Sequence, residues 1–181
     1  MRKNRLFLLL VVLTLALTMS VAVAVDRTVN ISAGSLTLVT PTVGTFNSIT
    51  LSGMTQTITL NSTGGTITDA TGAGSGWTLK VNATQFANGS HVLSRGNFKL
   101  TSVPGLTIID SAAASASDIS VVAADGDVDQ TTPLTVFTAG TDEGMGNYTI
   151  GNHQFTLTIM PKEAYAGTYT STMTYTLQAN V

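Results

Sequence analysis

The sequence predicts an all-β protein, a single antiparallel β-sandwich that follows an N-terminal signal peptide. Several segments alternate apolar and polar residues with a period of two, which is typical of strands that bury one face. Only 10% of the 181 residues are charged, whereas ordinary soluble domains contain about 25%. Threonine, serine, asparagine and glycine take their place, and these residues favour strands, turns and uncharged surfaces. No stretch shows a convincing helical periodicity.

The first element in order is the N-terminal targeting segment. Two arginines and a lysine precede an apolar run that extends to residue 25, and Ala22-Val23-Ala24 fits the pattern of a cleavage site. We expect a signal peptide over residues 1–24 and a secreted mature domain over residues 25–181, with no stable membrane insertion after cleavage. The alternative is an uncleaved anchor, because the apolar run is long enough to span a bilayer. The chain has no cysteine, which excludes a lipid-anchored lipoprotein.

Short strands with turn signals between them make up the rest of the chain. Gly64-Gly65, Asn88-Gly89 and Pro104-Gly105 are the clearest turns. The predicted strands are residues 35–39, 47–51, 55–60, 66–69, 77–82, 97–103, 106–109, 119–123, 134–138, 154–159 and 167–178. We expect a short helix or a loose loop over residues 110–118 and a corner over residues 161–167. Many short strands with closely spaced turns indicate a sandwich of antiparallel sheets.

The C-terminal stretch shows the alternation best. Every even position from residue 168 to residue 176 is threonine, and the odd positions carry Tyr169, Met173, Tyr175 and Leu177. The segment that begins at Trp77 alternates in the same way. One face of each strand is therefore predicted to be buried and the other to be a threonine-rich surface. We expect the C-terminal strand to lie in the centre of its sheet.

The charge balance limits the partners. Once the three basic residues of the signal peptide are removed, five basic residues remain against ten acidic ones, a net charge of −5. Nucleic-acid binding needs clustered lysine and arginine, so we expect no nucleic-acid partner. The same charge gives no direct attraction to anionic polymers.

The sequence contains no catalytic set. Thiol chemistry is excluded by the lack of cysteine, and no serine lies in a G-x-S-x-G motif. The only two histidines, His91 and His153, have no metal-ligand spacing, and we predict both to be surface residues in turns. We therefore expect that the protein is not an enzyme and needs no cofactor.

An acidic cluster is the only candidate for a metal site. Asp125, Asp127 and Asp129 alternate along the chain, and carboxylates with this spacing suit a hard cation such as calcium. An EF-hand loop that began at Asp125 would need glycine at its sixth position and glutamate at its twelfth, where Gln130 and Val136 stand. A solvated acidic loop is the favoured interpretation, and no metal site is predicted.

Three stretches together resemble the WxL-domain family of Gram-positive surface proteins. Residues 68–81, T-D-A-T-G-A-G-S-G-W-T-L-K-V, contain the Trp77-Thr78-Leu79 motif. Residues 144–150, G-M-G-N-Y-T-I, look like the family's glycine-tyrosine segment. Residues 164–177, A-Y-A-G-T-Y-T-S-T-M-T-Y-T-L, are similar to its distal motif, in which Tyr175 replaces a second tryptophan.

The resemblance implies a function at the cell surface. It implies non-covalent attachment to the cell wall through peptidoglycan. Such proteins also resemble the binding partners of larger proteins, the WxL-interacting surface proteins. We therefore expect a secreted wall-binding protein. The alternative is an assembly subunit that docks to a WxL-interacting protein or polymerises by pairing of edge strands. The residues that the resemblance points to as ligand contacts are Trp77, Thr78, Leu79, Tyr169, Tyr175, Thr176 and Leu177.

The single tryptophan of the chain has two interpretations. Trp77 and Tyr175 form an aromatic platform for a glycan, or Trp77 packs in the core against Tyr169, Met173 and Tyr175. Period-two alternation places Trp77 on the same face as Leu79, which favours the core. The exposed threonines are then the expected contact surface.

Overall fold

A computed structural model describes residues 26–102, 104–123 and 125–181, so the predicted signal peptide and its cleavage site lie outside the described residues. All of the strands lie in one compact unit, Ala33–Val181. A 3₁₀ helix over Ala116–Asp118 lies within the segment predicted as a short helix or loop. The strands in chain order are β1 (Leu36–Val39), β2 (Thr42–Val43), β3 (Gln56–Thr63), β4 (Thr66–Asp69), β5 (Trp77–Ala83), β6 (Ala87–Asn88), β7 (His91–Val92), β8 (Phe98–Ser102), β9 (Leu106–Ile108), β10 (Ser120–Val121), β11 (Gly126–Asp127), β12 (Leu134–Ala139), β13 (Gly146–Ile150), β14 (His153–Ile159) and β15 (Met173–Ala179).

One layer of the sandwich consists of two sheets that continue into each other. Their strand orders are β1-β4-β13-β9 and β2-β3-β14-β8-β11. Each strand of the first sheet is joined to its counterpart in the second by a few residues, as β3 is to β4 and β13 is to β14. The two sheets therefore form one long antiparallel sheet that is interrupted across its strands.

Glycine makes this interruption possible. The Ile150 N–H donates to the Gly65 carbonyl at 2.9 Å, and the Gly151 N–H donates to the Gly105 carbonyl at 2.8 Å. Gly65 has a φ of 108°, and a Cβ atom there would lie 2.9 Å from Pro41 Cγ. A larger residue at Gly65 would therefore strain the backbone and force neighbouring strands apart.

The other layer is a four-stranded sheet, β10-β12-β5-β15. A register shift in β12 between Thr135 and Phe137 turns both Val136 and Phe137 into the core. β15 pairs only with β5, so it is an edge strand, and the prediction that it is central is wrong. The alternation of its residues sets which face is buried, but it does not determine how many neighbours the strand has.

The apolar faces of both layers meet in one core. Its largest fully buried side chains include Trp77, Tyr148, Phe137 and Phe155. The alternation predicted this all-β, antiparallel architecture correctly. Within the part of the chain that is described, no helix has the length and apolar character needed to cross a membrane.

Two of the local predictions need correction. Residues 47–51 form no strand, because Ile49 packs on the core while Leu51 stays exposed, so the alternation buries no face. The last strand begins at Met173 and not at Gly167. Before it, the Thr84 hydroxyl accepts from the Thr172 N–H at 2.9 Å, and such a side-chain bond replaces the regular ladder.

Candidate functional site

The glycine-rich turn before Trp77 allows the tryptophan to enter the core. Gly76 has a φ of 71°, and a Cβ atom there would collide with the carbonyl oxygens of Ala139 and Gly140. β5 can therefore start close against the end of β12 only if this residue has no side chain. Directly after this close approach, the indole turns inward.

Trp77 is 0% exposed, and its indole has both a hydrogen-bond acceptor and an aromatic neighbour. Its Nε1–H donates to the Gly144 carbonyl at 2.9 Å, and its ring lies 6.2 Å from the ring of Tyr148 at 58°. A buried indole N–H needs such an acceptor. The core interpretation of Trp77 therefore describes the structure, although Tyr148 is its aromatic neighbour.

Trp77 and Tyr175 do not form an aromatic platform. Trp77 lies opposite Ala179 and Tyr175 lies opposite Val81 in the β5–β15 ladder, so the two rings belong to different rows of the sheet. With no exposed surface on Trp77, the folded protein offers a glycan no indole face at this position.

Tyr175 instead joins the two layers through His153. The Tyr175 hydroxyl lies 2.9 Å from His153 Nε2, and His153 Nδ1 lies 3.1 Å from the Gly151 carbonyl. Because a carbonyl only accepts, Nδ1 carries the proton and Nε2 accepts from the phenol. Burial raises the pKa of Tyr175 to about 12, while a hydrogen bond with Ser62 acts in the opposite direction.

His153 is not the surface residue that the sequence predicted. It is 5% exposed, because the period-two alternation places it on the buried face of β14, beside Phe155. Burial lowers the pKa of His153, and its hydrogen bond with the Gly151 carbonyl opposes this effect. His91 is exposed, as predicted.

The remaining predicted contacts divide between the two sides of the sheet. Leu79 is buried and Leu177 half-buried on the core side, whereas Tyr169 is half-buried and its hydroxyl accepts from the Tyr165 N–H at 3.1 Å. Thr78 and Thr176 point outward. The structure thus brings only the two threonines to an outer surface.

Around these two threonines lies a polar surface that we call the threonine face. The ladder places Lys80 between Thr135 and Thr176, and Thr78 between Thr138 and Gln178. Thr78 donates to the Asn180 side-chain oxygen at 2.8 Å. Lys80 has no ion-pair partner among the described residues. The threonine face consists of Thr78, Lys80, Asn82, Thr135, Thr138, Thr174, Thr176 and Gln178.

The three aspartates considered for a metal have separate roles. Asp127 pairs with Lys99 at 3.0 Å, and only Asp125 is exposed. The predicted solvated loop is wrong for Asp129, which is 2% exposed, because its carboxylate accepts from the Gly96 and Phe98 backbone N–H groups. Over the described residues, no group of three or more histidine, aspartate or glutamate side chains is placed to hold a metal ion.

The sequence did not single out two residues that hold Trp77 and the end of β15 in place, Gly144 and Asn180. Gly144 supplies the acceptor for the indole, and a Cβ atom there would lie 2.5 Å from Trp77 Nε1. Asn180 ties the end of β15 to β12, donating to the Ala139 carbonyl at 2.7 Å. The glycine-tyrosine segment at residues 144–150 was a signal for the first of these, but nothing in the sequence marked Asn180.

Comparison with known proteins identifies a family. A family model described as "WxL domain surface cell wall-binding" matches residues 26–180. No curated protein and no solved structure matches the chain. The matched range includes both β5 and β15, the strands that carry the threonine face.

Proposed function

Because the chain belongs to the WxL family of surface cell-wall-binding domains, we propose that it is secreted and attaches non-covalently to peptidoglycan through the threonine face. One observation carries the proposal. The two strands with the family's motif residues, β5 and β15, are neighbours, and their outward side chains form one continuous polar surface. The core-facing side of the same strands is taken up by packing.

The chemistry of the threonine face suits a neutral glycan. Hydroxyl and amide groups both donate and accept hydrogen bonds, as sugar hydroxyls and N-acetyl groups do. Lys80 lies in the middle of this surface and adds a donor. A broad, open face fits an extended polymer better than it fits a small molecule, which prefers a concave pocket.

Sedimentation with purified Gram-positive sacculi tests this proposal. The protein should sediment without any added cofactor, at both low and moderate salt. Salt screens charge interactions, and the net charge of −5 for residues 25–181 makes the charge interaction with anionic wall polymers repulsive. A folded protein that stays in the supernatant at every salt concentration would contradict the proposal.

We propose a binding module and not an enzyme. Hydrolysis of glycosidic bonds needs two carboxyl groups at a set separation across a cleft. Asp127 and Asp129 are engaged in an ion pair and in backbone hydrogen bonds, which supports a structural role for both. Release of soluble fragments from labelled peptidoglycan by the purified protein would contradict this part of the proposal.

A second candidate function is docking to a WxL-interacting protein, or to a second copy, by strand addition to β15. The edge position of β15 favours it, because an edge strand has unpaired backbone groups. Residues 168–181 contain no charge and no proline, the usual protections of an edge. β1 lies near β15 but does not pair with it, so the outer edge of β15 has no strand partner among the described residues. A monomer in light scattering, alone and with the larger partner, would argue against docking.

A further inference from the structure

Tyr165 is an exposed aromatic side chain. Tyr165 is 56% exposed. Every other phenylalanine, tyrosine and tryptophan among the described residues is buried or half-buried. Among the described phenylalanine, tyrosine and tryptophan side chains, Tyr165 is therefore the one that offers an exposed ring.

Two contacts position Tyr165 although it is exposed. Its ring stacks on the ring of His91, with centroids 3.8 Å apart and planes inclined by 19°. Its backbone N–H donates to the Tyr169 hydroxyl at 3.1 Å. One ring face is therefore backed by the imidazole, which supports the phenol in a fixed position.

The two segments that carry this stack are themselves anchored. The Glu163 carboxylate accepts from the Ser94 N–H at 2.9 Å, from the Ser94 hydroxyl at 2.6 Å and from the Asn97 amide at 3.2 Å. These bonds fix the corner before Tyr165. His91 lies in the hairpin formed by β6 and β7. Ala87 of this hairpin exchanges two backbone hydrogen bonds of 3.0 Å with Thr170, which fix the hairpin.

We propose that Tyr165, backed by His91, is a stacking platform for a pyranose ring of a wall glycan. The face of an aromatic ring is electron-rich and attracts the C–H groups on the apolar face of a sugar. A ring that is already immobilised loses little conformational entropy when a ligand binds. Exposure and rigidity together are what such a platform requires.

The platform lies beyond one end of the threonine face. At this end β5 stops at Ala83 and β15 starts at the opposite residue, Met173. Just beyond them the Thr84 N–H donates to the Thr172 carbonyl at 2.9 Å, and the next contact between the two segments is the Ala87–Thr170 bridge. This inference rests on the proposed wall binding and names an aromatic subsite for it.

Matched variants of Tyr165 test the platform in the sacculus assay. Tyr165→Ala should weaken binding by about tenfold, since it removes the ring. Tyr165→Phe keeps the ring and should bind within about twofold of wild type. His91→Ala removes the backing and should weaken binding less than Tyr165→Ala does. The melting temperature of each variant confirms that it is folded.

Two competitors identify the source of the sugar. The assay uses sacculi stripped of attached polysaccharide, with muramidase-released peptidoglycan fragments or released wall polysaccharide as soluble competitors. Competition that depends on Tyr165 supports the platform and assigns the pyranose to whichever competitor shows it. If folded Tyr165→Ala sediments like wild type, this inference is overturned and wall binding stands. If wild type itself fails to sediment, both are overturned.

Discussion

Replacing Trp77 with alanine tests the role of the indole as a core anchor. The side chain is fully buried, so its removal should cost about 3–5 kcal/mol, as large-to-small core substitutions do. The change also leaves the buried Gly144 carbonyl without its donor, a loss worth about 1–3 kcal/mol where no water replaces it. For a chain of this size the melting temperature should fall by about 10 °C or more.

The measurement is thermal and urea unfolding followed by circular dichroism, because the variant has no tryptophan to report fluorescence. Trp77→Phe should fall between wild type and Trp77→Ala, since it keeps an apolar ring but loses the hydrogen bond. Thr78→Ala is the control on the opposite face of β5, where only the bond to Asn180 is lost, at about 1 kcal/mol. A Trp77→Ala protein as stable as Thr78→Ala would refute the reasoning.

Three further predictions concern stability. Gly144→Ala should destabilise strongly in thermal unfolding, because Gly144 has a φ of 73° and a Cβ atom there would collide with the indole; an unchanged melting temperature would contradict this. The lowered pKa of buried His153 means that the unfolded chain binds the proton more readily. Stability should therefore fall as pH drops below about 6.5, and urea midpoints should fall less steeply for His153→Gln. Hydrogen bonds from Ser94 lower the pKa of Glu163. The Glu163 carboxylate therefore stabilises the fold above the ordinary pKa of glutamate, and this stabilisation is lost as the pH falls below it. In Glu163→Gln the urea midpoint should change less between pH 6 and pH 3 than it does in wild type.

The alternation of residues predicted the fold class because it depends on burial, which period two records directly. Trp77, Leu79 and Val81 are all buried, and Thr78 and Lys80 lie on the outer side, as the pattern indicated. The identity of the neighbouring strand is a different matter. The edge position of β15 follows from long-range pairing, and nothing in its own residues encodes it.

The candidate site was predictable only in part, for the same reason. Thr78 and Thr176 were singled out, and both lie on the threonine face, where Gln178 is opposite Thr78 and Lys80 is opposite Thr176. The alternation from Trp77 onward places Lys80 on the outer side, but it could not show that Thr135 and Thr176 are its neighbours, since that row exists only once three strands are paired. His153 was misjudged because a polar residue that alternates with apolar ones can be buried if it finds partners.

Wall binding by the threonine face is the central claim, and paired threonine variants test it most directly. Thr174→Ala/Thr176→Ala removes two exposed hydroxyls from β15, and Thr57→Ala/Thr59→Ala removes two exposed hydroxyls from β3 in the other layer. Both should unfold at similar temperatures. We expect the β15 pair to lose affinity for purified sacculi by about tenfold, while the β3 pair binds like wild type. Equal binding by the two pairs, or a loss confined to the β3 pair, would contradict the claim.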